Sequence, residues 1–240
     1  MKTQTFAAGL ILFLLTASTC QAQDAAAKPN SPKGLSHWGS ARAGVVGESA
    51  LAIDAQTYGR LRSGVIAEVG AGRPATVGMV LNPGAQTGLS AGLSAGRLSG
   101  DIELTDLRQD IAELKRSNDP VSPALAHILD MPVAGNLHTS GAISHIYYDL
   151  SATGPVTPYL GAGLGVNKLT LTMPFGRSEA NVTRYEGVFG VKTTLGKASL
   201  FAELRSGQTS PFSFKADGAA VSKETKAKST GLLCGYTAHF

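Results

Sequence analysis

The sequence predicts an all-β fold, an eight-stranded antiparallel up-and-down transmembrane barrel with short periplasmic turns and long external loops. Three observations carry that expectation. The N-terminus has the layout of an export signal, eight later segments alternate apolar with polar or small residues, and the connections between those segments are long and short in turn. After the signal no apolar run reaches the roughly 18 residues that a membrane helix needs, so any crossing has to be made by strands.

Lys2 precedes an apolar run from Phe6 to Ala17, and the small residues Cys20 and Ala22 precede Gln23. That is the pattern of a secretory signal peptide cleaved after Ala22. It sets residues 1–22 apart and directs the chain out of the cytoplasm, to the cell outer membrane if the rest is a barrel. A lipidated Cys20 is the competing reading, and Thr19 directly before it argues against that. Without residues 1–22 the one remaining cysteine is Cys234, so no intrachain disulfide holds the fold together. The formal net charge of +4 is that of an ordinary solvated surface and implies no nucleic-acid partner. Residues 23–59 read as a flexible N-terminal periplasmic segment. Ala, Pro, Ser and Lys dominate its first part, and residues 37–59 are ambiguous between a short strand and a helix.

From residue 60 the period is two, and residues 60–240 are the predicted barrel. The expected strands are 60–72, 87–98, 101–108, 139–150, 157–171, 184–195, 198–206 and 229–240. In the first, Val65, Ala67 and Val69 alternate with Ile66, Glu68 and Gly70. In the second, Leu89, Ala91, Leu93 and Ala95 oppose Ser90, Gly92, Ser94 and Gly96. The third sets Ile102 and Leu104 against Glu103 and Thr105. The fourth sets Ala142, Ile146, Tyr148 and Leu150 against His145, Tyr147 and Asp149. The fifth has Leu160, Ala162, Leu164 and Val166 against Gly161, Gly163, Gly165 and Asn167. The sixth has Tyr185, Phe189 and Val191 against Glu186, Gly190, Lys192 and Thr194. The seventh pairs off Leu200, Ala202 and Leu204 from Phe201, Glu203 and Arg205. The last divides Leu232, Cys234, Tyr236, Ala238 and Phe240 from Leu233, Gly235, Thr237 and His239. Ser99-Gly100, Gly196-Lys197 and the stretch SATGPV are the expected periplasmic turns.

A membrane barrel explains these rows better than a soluble periplasmic sandwich does. In lipid every backbone amide needs an internal partner, and a closed barrel provides one without leaving an edge. A row of Leu-Ala-Leu-Ala is thin for a packed core and sufficient for a lipid-facing wall. An eight-stranded barrel has little interior volume, which gives Gly161, Gly163 and Gly165 a purpose: they leave room for long side chains projecting from other strands. A phosphate-binding loop is excluded, because GxGxG is not GxGxxG and no helix pattern follows.

Several stretches resemble the opacity-type proteins, within the wider group of small eight-stranded outer-membrane barrels and bacterial surface antigens. They are NLHTSGAISHIYYDLS, TPYLGAGLGV, FAELRSG, GLSAGLSAGRLSGDIEL and the final strand ending in Phe240. The resemblance covers roughly residues 60–240. It implies a surface protein with no chemistry of its own, adhesin-like or structural, and no cofactor or metal. Terminal Phe240 with Tyr236 on the same face resembles the signal read by the barrel-insertion machinery. The other expected partners are outer-membrane lipid, lipopolysaccharide, and a host or surface ligand reached through loops 109–138 and 207–228.

Glu68, Glu103, Glu186 and Glu203 share the expected lumen with Lys192 and Arg205, with His145 and His239 close by. An unpaired charge in a narrow, dry lumen is costly, so the expectation is salt bridges from Lys192 and Arg205 to these glutamates, filling and stiffening the barrel. A narrow channel is the first alternative. The second is a hydrolase acting on lipid A through His138 and Ser140, which share one strand face; lipid A deacylases look similar in using a His-x-Ser pair. Against it, Gly141 replaces the Asn expected after the serine and no acidic partner is evident. In loop 109–138 the spacing of Leu107, Ile111 and Leu114 predicts a short helix, and Ala124, Leu125, Ile128 and Leu129 a second amphipathic turn. Lys223, Lys226 and Lys228 could meet lipopolysaccharide phosphates. Tyr147, Tyr148, Tyr159, Tyr185, Tyr236 and Phe240 are the candidates for aromatic girdles, with Tyr148, Tyr185, Tyr236 and Phe240 in the outward row. Cys234 is expected to face lipid as inert packing.

Overall fold

The computed structural model describes residues 35–47, 49–54, 76–116, 134–151, 154–174, 176–216, 219–220 and 225–240. Twelve strands follow in order: β1 (Ser36–Val46), β2 (Ser49–Asp54), β3 (Thr76–Leu81), β4 (Gly84–Ala95), β5 (Leu98–Arg116), β6 (Asn136–Asp149), β7 (Val156–Met173), β8 (Gly176–Leu195), β9 (Ala198–Thr209), β10 (Lys215–Ala216), β11 (Ala219–Ala220) and β12 (Lys228–His239). Eight of them close a ring. β1 pairs β4, the chain of neighbours runs through β5, β6, β7, β8 and β9 to β12, and β12 returns to β1. Every pairing is antiparallel, so the wall is an up-and-down barrel with no open edge. No helix occurs among the described residues.

Seven of the eight expected strands lie in this ring; β5 ends at Arg116 and not at 108, β8 begins at Gly176 and not at 184, and the other ends are close to those expected. The eighth is a correction. The closing strand is β1, from within the segment read as a periplasmic leader, and the segment 60–72 lies outside the described residues together with Glu68. β1 escaped the period-two reading because its rows are mixed. Trp38, Ser40, Arg42, Gly44 and Val46 point inward, while the outward row is His37, Gly39, Ala41, Ala43 and Val45. Neither row stands out by hydropathy, yet β1 pairs along its whole length from Trp38↔His239 to Val46↔Gly231 and from Ser36↔Ser94 to Val46↔Gly84.

Three tight connections define one end of the cylinder. Gly96-Arg97 joins β4 to β5 and Gly196-Lys197 joins β8 to β9, with φ of 65° and 64° at the two glycines. A two-residue hairpin needs positive φ, which glycine adopts without a Cβ clash. The expected turn at Ser99-Gly100 therefore sits three residues earlier, and those two residues belong to β5, opposite Ser94 and Leu93. The third connection, residues 150–155 between β6 and β7, overlaps the expected SATGPV stretch, whose Val156 already belongs to β7.

At the opposite end the strands run on past the expected loop boundaries. β5 continues to Arg116 as a strand and not as a helix. Leu107 and Ile111 are four apart, a spacing that puts two side chains on one face in both conformations, so sequence spacing did not separate them. The amphipathic stretch around Leu125 lies outside the described residues. β7 and β8 meet directly across residues 174–175, which replaces an expected long loop. β2 and β3 pair with each other, and β3 pairs with the outer part of β5. Where β1 gives way to β2 and β3 to β4, the Gln109 amide knits the break, donating to the Gly47 and Asn82 carbonyls at 3.2 and 3.1 Å and accepting from the Ser49 hydroxyl at 3.0 Å.

The two faces of the wall exchange chemistry part way along. In the half nearer the tight turns the apolar row is outside: Ile102, Ile146 and Val166 are 62, 64 and 67 % exposed. Leu89, Leu104, Leu164, Phe189, Leu204 and Leu232 continue the same band. Exposed apolar area of that extent has no place in water, and on β7 it spans Val156 to Val166, the length at which a tilted strand crosses a bilayer. Tyr148, Tyr185, Tyr236 and Phe240 lie on this outer face, as the girdle requires. Tyr147 and Tyr159, also proposed for the girdle, are buried inside.

Beyond Asp106, Ser140, Lys168 and Asn181, which are successive register neighbours on β5 to β8, the rows swap. Arg108, Lys168, Arg177 and Glu179 are now outside. Leu107, Ile111, Leu137, Leu169, Leu171, Met173 and Val182 are buried inside, with Val46, Leu51, Met79, Leu81, Phe212 and Phe214. The barrel thus carries a polar core inside its apolar belt and an ordinary apolar core above it. Phe212 and Phe214 bring part of loop 207–228 into this second core, where Phe212 bridges Thr225. Lys226 and Lys228 remain exposed, and Lys223 lies outside the described residues.

Candidate functional site

Within the belt, inward positions of β1, β5, β6, β8 and β9 meet at one level of the lumen. β5 contributes Asp101 and Glu103, β6 contributes His145, β8 contributes Arg184 and Glu186, β9 contributes Glu203 and Arg205, and β1 contributes Arg42. Arg205 Nη1 lies 2.9 Å from Glu103 Oε2 and 3.1 Å from Glu186 Oε1, and its Nη2 lies 2.6 Å from Glu203 Oε2. Arg42 reaches Asp101, Glu103 and Glu203 at 3.2, 3.0 and 3.3 Å. Arg184 Nε holds the second oxygen of Glu186 at 2.9 Å and its Nη2 donates to the Ser229 hydroxyl at 3.1 Å.

His145 completes the balance. Its Nδ1 is 2.8 Å from Asp101 Oδ1 and its Nε2 is 2.8 Å from Glu186 Oε1. An imidazole facing carboxylates on both sides bonds to both only as an imidazolium that donates twice. The three guanidiniums and this ring then match the four carboxylates of the cluster. Asp101, Glu103 and His145 also lie close enough together for a metal. The arginines already occupy the carboxylates, and a divalent cation would have to displace them.

Glycines let this network cross the wall. In four places an inward glycine sits directly between two interacting side chains on its flanking strands. Gly163 faces His145 on one side and Glu186 on the other, and Gly161 faces Tyr147 and Val188. Gly190 lies between Tyr159 and Glu203, whose phenol and carboxylate bond at 2.8 Å. Gly235 lies between Phe201 and Arg42, whose guanidinium carbon stands 5.2 Å over the ring. A Cβ at Gly161 would lie 2.5 Å from Tyr147 Cδ1, and one at Gly163 would lie 3.0 Å from Glu186 Cγ. The spaced glycines are therefore gaps through which residues two strands apart touch.

Of the residues singled out by sequence, Glu103, Glu186, Glu203 and Arg205 come together here. Lys192 does not join them. It stands near the tight-turn end, 2.7 and 2.8 Å from the two oxygens of Asp149. The expected Lys192–glutamate bridges are absent among the described residues because Arg42 takes that place. Arg42 was missed along with β1. Asp101 was overlooked beside the misplaced turn, although it continues the inward row of Glu103. His239 bonds the Ser199 hydroxyl at 3.0 Å. Tyr236 and Phe240 face outward beside the closing seam.

A second cluster lies outside, at the level where the rows swap. His138 Nε2 contacts Asp106 Oδ2, and Ser140 is directly opposite Asp106 in the β5–β6 register. Next to them Lys168 and Arg177 flank Glu179 at 2.6 and 2.7 Å, above the belt; the hydrogen bond from the Lys168 ammonium holds that carboxyl below its ordinary range.

No family model matches the chain. Two proteins from Brucella suis biovar 1 and Brucella melitensis biotype 1, each described only as uncharacterized, are 36 % identical over 89 residues, which is 32 % of this chain and 31 % of theirs. The chain thus spans about a third of the length of the curated relatives it matches. Among solved structures, Neisserial surface protein A aligns at 19 % identity over 86 % of this chain and 99 % of its own, with a TM-score of 0.46. The outer membrane protease OmpT from Escherichia coli aligns at 7 % identity over 89 % and 99 %, with a TM-score of 0.42. Outer membrane protein AlkL aligns at 14 % identity over 92 % and 97 %, with a TM-score of 0.41. The architecture assigned to this chain follows from its own strand pairing.

Proposed function

We propose that the protein is a non-conducting outer-membrane barrel with a structural or adhesin-like role, exported by residues 1–22 and displaying its long connections outside the cell. The observation that carries this reading is the filling of the barrel at two levels. The ionic cluster occupies the lumen inside the belt, and an apolar core packs the end above it. A charged solute would have to break buried ion pairs and then enter an apolar core. The tight turns and the C-terminus face the periplasm in this reading, where Tyr236 and Phe240 present the insertion signal. Lipopolysaccharide would contact the cationic residues Arg108, Lys168 and Arg177 above the belt.

Planar-bilayer recordings of the purified protein test it. The expected result is no steady conductance above the bare bilayer, while the unboiled protein migrates at a different apparent mass from the boiled one. Reproducible single-channel steps would replace this reading with the narrow channel.

One observation favours a second reading. Asp106 supplies the acidic partner that sequence alone did not show for His138 and Ser140. In such an arrangement the carboxylate accepts from Nε2–H and orients the ring; Nδ1 would take the serine proton as Oγ attacks an acyl ester and pass it to the departing alcohol, and water would then hydrolyse the acyl-serine to release the fatty acid. The cluster lies where the outer apolar row ends, the level that lipid headgroups would occupy in this reading. Mass spectrometry of lipid A from cells with and without the protein decides between the readings. The structural role predicts identical spectra, and the hydrolase predicts loss of an acyl chain that Ser140→Ala restores.

A further inference from the structure

The tight-turn end of the lumen is not filled. Below the ionic cluster lies a cavity of about 120 Å³ whose wall includes Trp38, Arg42, Tyr147, Tyr159, Phe201 and Glu203, with Lys192 and Asp149 toward the mouth. Cavities of roughly 150 Å³ take up a benzene-sized ring, so this space suits one small ring and not an extended chain. Its rim is formed by residues beside the turns, Ser94, Gly96 and Ser99 among them, so it opens on the side away from the apolar core.

The hydrogen-bonding state of the wall decides which ring. Its carboxylates are engaged: Glu203 Oε1 accepts from the Tyr159 hydroxyl at 2.8 Å and Oε2 from Arg205 Nε at 2.8 Å, while Asp149 holds Lys192. A donor is left over. The Arg42 side chain is only 2 % exposed, and its Nε–H has no acceptor among the described residues. That Nε–H is closed off as the side chain stands, and a shift of Arg42 toward an incoming acceptor recovers the free energy that a buried donor without a partner costs. At the entrance part-exposed Lys192 is paired with Asp149, so it offsets that carboxylate and leaves Arg42 as the donor facing an incoming anion. We propose that this cavity is a binding site for a small aromatic carboxylate, entering from the tight-turn end with its carboxylate toward Arg42 and its ring among Trp38, Tyr147 and Phe201. This goes beyond the structural role above and does not depend on whether the lumen conducts.

Trp38 is the one tryptophan of the chain, so its fluorescence reports this cavity alone. The full-length mature protein in lipid nanodiscs is titrated with benzoate, with benzyl alcohol and benzylamine as the neutral and cationic counterparts. Benzoate is expected to change Trp38 emission saturably and benzylamine not to. Ser94→Phe fills the rim without touching the ionic cluster and should weaken benzoate at least about tenfold. Arg42→Lys should do the same, the scale expected when a hydrogen bond to a charged group is lost. Unboiled gel mobility checks that each variant is folded; should Arg42→Lys not fold, Ser94→Phe decides alone. Equal, unsaturable responses to benzoate and benzylamine would show partition into lipid and overturn the site, as would a Ser94→Phe response matching the parent.

Discussion

Arg205→Met should cost about 3–5 kcal/mol of stability, the range for removing one partner from a buried ion pair. The arginine contacts Glu103, Glu186 and Glu203, and methionine fills much of the same volume without replacing any of those bonds. Three carboxylates would then face two guanidiniums and one imidazolium already shared with Asp101. The check is a urea titration of the protein refolded into vesicles, read by unboiled gel mobility. Pairing Arg205→Met with Glu203→Gln removes one negative charge and should recover part of the loss. A single variant as stable as the parent would show that the lumen holds enough water to solvate the carboxylates, and the ionic plug would have to be abandoned.

Gly163→Val should be nearly as damaging, although it changes a residue with no side chain. The new Cβ would overlap the His145 ring, with Nε2 at 2.8 Å and Glu186 Cγ at 3.0 Å. Overpacking costs about 1–3 kcal/mol, and severing the His145–Glu186 bond adds about 1.5–3 kcal/mol for a hydrogen bond to a charged group. Ala162→Val is the control. Its side chain is one residue away on the lipid face, and the expected change is within about 0.5 kcal/mol. Equal unfolding midpoints for the two valine variants would mean that the glycine row is not the gap through which the network crosses.

Inside the belt both faces of the wall were legible from sequence. Ile102, Leu164 and Phe189 were read as outward and Glu103, Glu186 and Glu203 as inward, because a strand sends alternate side chains to opposite faces. The same rule failed at both ends of the chain's pattern. It missed β1, where neither row is apolar enough to mark a face. It also ended β5 eight residues too early and began β8 eight residues too late, because past Leu104 and before Tyr185 the alternation continues with its sense inverted, and an inverted pattern looks like a loop when lipid-facing residues are the guide.

The partners within the cluster were less legible. Lys192 and Arg205 are both inward cations on neighbouring strands, and period two cannot tell their depths apart. Depth depends on the stagger of each strand against the next, which the Gly96 and Gly196 hairpins and the closing β1–β12 seam set together. The glycines posed the same limit. Their spacing announced a need for small residues on one face, but which side chains met across them depended on register.

Taken alone, the order of residues determined a strand-built wall with an apolar exterior and charges within, since alternation is a local property of the extended backbone. Tertiary structure decided which strand closes the ring, which cation meets which carboxylate, and where polar core gives way to apolar core. Those are relations between residues far apart in the chain, and only the stagger of paired strands brings them to a common height.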